Sequence, residues 1–117
     1  MSNYQSVVPV RLAISVLPTG ALSAAVSVYT VPAQTRTIIK SINASNTTAS
    51  PATFDIFLMP YGGVVGLGNA LLYQMPVPAY TPYQWNGVAI MNQGDQVYVL
   101  ASAGTTITVI ISGAECS

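Results

Sequence analysis

Apolar and polar residues alternate along most of this chain, and proline and glycine interrupt the alternation at short intervals. The run 52–59 shows the pattern best. Phe54, Ile56 and Leu58 share one face of an extended strand, while Asp55, Phe57 and Met59 share the other. Only Asp55 breaks the apolar character of the second face, so this strand is expected to be covered on both sides. Val, Ile, Thr and Tyr dominate such runs, a composition that suits a pleated surface. Strands are expected at 10–17, 24–31, 35–44, 52–59, 70–75, 84–91, 96–102 and 105–112. Strict alternation in 35–44 places Ile38, Lys40 and Ile42 on one face and Ile39 and Ser41 on the other. In the last run Ile107, Val109 and Ile111 oppose Thr106, Thr108 and Ile110.

Turn signals separate these runs: Pro18-Thr19-Gly20, Pro32-Ala33, a polar stretch from Asn46 to Pro51, a glycine-rich loop over 61–69, and Asn92-Gln93-Gly94-Asp95. No segment holds a helical period long enough to form a helix. The pattern predicts an all-β fold: a two-sheet β-sandwich of about eight strands, with jelly-roll or related Greek-key topology. An immunoglobulin-like sandwich is the alternative, without the Cys…Trp…Cys framework that marks true members. Residues 1–9, polar and then Val7-Val8-Pro9, read as an extended N-terminal arm, and 10–117 as one sandwich domain. Along the arm and its junction, Tyr4, Val7, Val8 and Val10 are candidate contacts to another subunit, because an extended arm carries unpaired backbone groups along its length.

Charge changes the picture more than any motif. Arg11, Arg36, Lys40, Asp55, Asp95 and Glu115 are all the charged side chains among 117 residues, and histidine is absent. A surface with so little charge and no net charge favours association. A serine or cysteine nucleophile lacks the histidine base it usually needs. Lys40 and Ser41 alternate to opposite faces, so they do not form a nucleophile–base pair. Lys40 reads instead as a snorkelling residue or one end of an ion pair. Asp55 reads as mid-strand, Asp95 as a turn residue bonding local amides, and Glu115 and Cys116 as a C-terminal tail. No catalytic residue, metal site or cofactor is expected from this set. Three cations balanced by three acids do not support nucleic-acid binding. Apolar stretches are too short to span a membrane, and the N-terminus lacks the basic and apolar regions of a secretion signal.

Two apolar or aromatic groups remain. The loop 61–69 carries Val64, Val65 and Leu67, either as an exposed contact surface or folded back over the end of the sandwich. Tyr80, Tyr83 and Trp85 suit a buried core or protein interface, and also a sugar-stacking platform.

Several stretches, in order, carry a family resemblance: 29–42 (YTVPAQTRTIIKSI), Asn46-Thr47, 52–56 (ATFDI), 69–73 (NALLY), 85–92 (WNGVAIMN) and 94–99 (GDQVYV). Together they resemble the small β-sandwich virion proteins of tailed bacteriophages, among them capsid cement or decoration proteins and tail-associated components. The resemblance covers about 29–113. It implies a non-enzymatic structural protein of the virion, on the outer capsid shell or in the tail or baseplate. Its implied partners are the major capsid protein or another virion protein and further copies of itself, a trimer being favoured. A carbohydrate-binding module built on Trp85 and its neighbouring tyrosines is the alternative from another class.

Overall fold

The structure, a computed structural model, describes residues 7–20, 24–102 and 107–117. Its strands are β1 (Val7–Val16), β2 (Val26–Thr30), β3 (Arg36–Asn46), β4 (Ala52–Met59), β5 (Ala70–Val77), β6 (Pro82–Met91), β7 (Gln96–Ala101) and β8 (Ile107–Cys116). They form two four-stranded sheets, with order β1-β8-β3-β6 (sheet I) and β2-β7-β4-β5 (sheet II). Neighbours within each sheet pair antiparallel.

The pairs β1·β8, β2·β7, β3·β6 and β4·β5 are those of one long hairpin, β1–β4 running out and β5–β8 running back. Rolling that hairpin so that alternate pairs fall in opposite sheets produces the jelly roll. The glycine-rich loop after β4 is the hairpin's apex. No helix among the described residues is long and apolar enough to cross a membrane, which says nothing of strands.

Inward-facing side chains of both sheets make the main core. Ile39, Ile42, Phe54, Ile56, Val97, Val99, Ile107, Val109 and Ile111 are completely buried there. Each contributes roughly 1.5–3 kcal/mol relative to exposure. Strand β4 is covered on both sides, as its pattern predicts. Phe54 and Ile56 enter the main core, while Phe57 and Met59 join Leu100 in a second cluster on the outer face of sheet II.

Three expectations need correcting. First, β1 begins at Val7, so Val7, Val8 and Pro9 are strand rather than free arm, and Tyr4 lies outside the described residues. Second, β8 continues to Cys116 instead of ending in a tail. Val7 pairs with Cys116, Val8 with Glu115 and Pro9 with Ala114, so each end supplies the ladder partners the other needs. Third, alternation breaks in β3 at Lys40. Ile39 and Ile42 both face inward, while Lys40 and Ser41 both face out.

That break is a β-bulge with neighbours. The register against β8 shifts between Arg11 and Ala13 in β1 and between Ile39 and Ser41 in β3. Against β3, strand β6 sets Gly87 and Val88 beside the single residue Lys40. A row of bulges therefore crosses sheet I from edge to edge, bending and twisting it along one line. Gly113 of β8 lies on this line.

Candidate interaction surfaces

The three carboxylates stand apart, each with a local hydrogen bond. Asp95 Oδ2 accepts the Asn92 N–H at 2.9 Å and Oδ1 accepts the Tyr61 N–H at 3.1 Å, which ties the β6–β7 turn to the apex loop. Asp55, nine-tenths buried, accepts the Gln74 N–H at 2.6 Å. Gln74 has a φ of 49° in an irregular stretch of β5, so the carboxylate replaces the ladder partner that the irregularity removes. Asp55 also lines a cleft of about 270 Å³ with Thr53, Tyr73 and Ser102. Glu115 points between the sheets, where its Oε2 accepts the Tyr29 hydroxyl at 2.5 Å, and Thr37 Oγ1 lies 2.7 Å from the same hydroxyl. Burial, and then the Glu115 bond, push the Tyr29 hydroxyl up to about 12, against a smaller opposing effect of Thr37. Among the described residues no three His, Cys, Asp or Glu side chains gather where a metal ion could sit.

The aromatic trio does not form one platform. Tyr83 and Trp85 lie on the inward face of β6 and pack against the main core, with the Tyr83 ring 5.6 Å from that of Phe54 in an edge-on contact. The Trp85 indole lies over Gly87, where a β-carbon would come within 2.9 Å of the ring. Tyr80, in contrast, is 71% exposed in the turn before β6, held by its N–H to the Thr48 carbonyl.

The apex loop divides between its two readings. Val65 folds onto the Phe57, Met59 and Leu100 cluster, whereas Val64 and Leu67 stay exposed beside Tyr61. At the start of β1, Val10 packs on the main core, and Val7 and Val8 are exposed.

A further surface escapes the alternation reading: the outer face of sheet I. Val88 and Ile90 of β6 project from it, as do Ile14 and Val16 of β1 and, less fully, Ile110 of β8. Ile38 pairs with both Ala114 and Ile90, so it shares that face. Ile38 and Ile39, Val88 and Ala89, and Ile110 and Ile111 are adjacent apolar residues, so hydropathy does not separate inside from outside here. The usable signal was charge, because Arg36 and Lys40 share the parity of Ile38 in β3.

No family model matches the chain, and no curated protein is detectably similar to it. Among solved structures, a chain from the structure of infectious bursal disease virus, Gx strain, shares the fold with a TM-score of 0.52 and 14% identity. The alignment covers 95% of this chain and 31% of that one, so this chain spans under a third of its length. A chain from the Gt strain structure aligns over 99% of this chain and 32% of its own length, with a TM-score of 0.44 and 8% identity.

Proposed function

We propose that this chain is a non-enzymatic structural protein of a virus particle. Within that role we place it on the outer shell, as a cement or decoration protein of the tailed-bacteriophage kind. The observation that carries the reading is the strand order β1-β8-β3-β6 over β2-β7-β4-β5, the jelly-roll architecture used by many viral capsid domains. The likeness to a chain of a virus structure over nearly all of this sequence supports it. So does the absence of histidine from the sequence, with the three carboxylates each engaged in a separate local bond. A tail or baseplate position rests on the same physics. The sugar-platform alternative loses its support because Trp85 and Tyr83 face the core.

Mass spectrometry of gradient-purified particles from the virus that encodes the chain tests the role. The chain should be present in amounts comparable to the shell proteins, and its absence from particles would end the reading. Immunogold labelling then separates positions, on the shell as proposed or on the tail. Light scattering on the purified chain should show a closed oligomer, a trimer on this reading.

A further inference from the structure

All three cationic side chains of this protein lie on one surface. Arg11 is exposed on β1, and Arg36 and Lys40 are exposed on β3. Arg11 pairs with Ser112, and Ser112 with Ser41, the residue after Lys40; Arg36 pairs with Cys116 four positions further along β8. Strand spacing and rise place the three within about 10 Å across the strands and about 13 Å along them. No side-chain carboxylate shares this surface. Asp55 is on the outer face of the opposite sheet, Asp95 is in a turn and Glu115 is between the sheets.

Exposed aliphatic side chains stand among the cations. Val7, Val88 and Ile90 are each more than 60% exposed. Arg36, Ile38, Ile90 and Cys116 line an almost wholly apolar hollow of about 160 Å³, room for one inserted side chain. Carboxylates set around an apolar projection would complement such a surface.

We infer that the outer face of sheet I docks onto a carboxylate-bearing surface of a different protein, and not onto a second copy of this chain. The inference deepens the virion reading and rests on it. Two copies meeting through this face would bring Arg11 and Lys40 of each copy onto a surface that offers no side-chain carboxylate. Nor does another face of the chain answer it, because every side-chain carboxylate is already hydrogen-bonded within its own subunit. Self-association through the apex loop is compatible with this arrangement. Three cations among bare aliphatic side chains also fit a protein surface better than a nucleic-acid backbone, whose binding rests on neutralising many phosphates.

The experiment adds purified protein to particles made by a virus deleted for the chain, across a salt series. Wild type should bind, with retention falling as salt rises. The Arg11→Gln/Lys40→Gln double variant should bind roughly tenfold more weakly. Ile90→Ser should weaken binding and keep the salt dependence. Light scattering should give every variant the wild-type oligomer mass, and thermal melts should be unchanged because these side chains are exposed. Equal retention of the double variant overturns the inference and leaves the virion reading standing. Loss of oligomer mass in the double variant also overturns it, by making this face a self-interface. Binding to phosphatidylglycerol vesicles, with none to particles, would make the partner a membrane and overturn it too. If wild type binds neither particles nor vesicles, the virion reading falls and takes the inference with it.

Discussion

Gly113 of β8 lies so close to β3 that a β-carbon placed on it would stand 1.8 Å from the carbonyl oxygen of Ile38. Nothing but hydrogen fits, because the obstacle is backbone at the line where the bulges bend sheet I. Gly113→Ala must push apart two central strands, a distortion that costs about 3 kcal/mol. Urea unfolding should show the midpoint falling accordingly. Gly68→Ala is the comparison, since nothing lies within 4 Å of where its β-carbon would stand, and it should stay within about 0.5 kcal/mol of wild type. An unchanged midpoint for Gly113→Ala would mean that the bulged row yields easily.

Asp55 should matter for stability through one hydrogen bond. Asp55→Ala leaves the Gln74 N–H without its acceptor at a backbone position already in the left-handed region. The expected loss is about 2 kcal/mol. Asp55→Asn keeps an oxygen acceptor and should lose less. Amide exchange at Gln74 should accelerate in the alanine variant ahead of its neighbours, and equal exchange in both proteins would contradict this role.

Tyr29 makes stability depend on alkaline pH. Its folded value of about 12 lies above the ordinary tyrosine value of 10.0, so the native state holds the proton more tightly than the unfolded chain. The stabilisation is complete below pH 10.0 and is lost as pH rises toward about 12. Tyr29→Phe should flatten this part of the stability profile. A variant profile that falls in parallel with wild type would assign the effect to other groups.

The apex loop offers a paired test. Val65→Ser inserts a hydroxyl against Phe57, Met59 and Leu100 and should cost about 1–2 kcal/mol. Val64, 82% exposed one residue earlier, should tolerate the same change within about 0.5 kcal/mol. Thermal melts of the two variants decide it, and equal losses would show that the loop packs differently.

Alternation located the strands well, because a period of two survives wherever one face is buried. It failed at chain positions where local chemistry misleads. The strand expected at 70–75 stops short of Pro76, yet β5 runs past that proline to Val77. Pro9 and Pro82 likewise lie within β1 and β6. All three strands are sheet edges, where a missing N–H can face away from the ladder. Gly113, Ala114 and Glu115 carry little β-propensity, so the extension of β8 depends on Val7–Pro9 as a distant partner. The inversion of Ile42 in β3 depends on a bulge at Lys40, for which the local residues give no sign. The outer surface of sheet I was hidden for a related reason. Where inward and outward neighbours are both aliphatic, only the cations distinguish the solvent side.

The rolled hairpin also sets an order of events for folding. Only β4 and β5 meet through a short connection, whereas Val7 of β1 must wait for Cys116 of β8. Sheet I depends on that late arrival twice, because β8 lies between β1 and β3 and joins them. Pairings so distant in sequence form slowly. Until β8 is in place, β1 is an apolar strand with both edges open, and the β8 of a neighbouring nascent chain fits it as well as its own. Crowded synthesis of many copies therefore favours strand exchange between chains, and slow production at low concentration favours the self-contained sandwich.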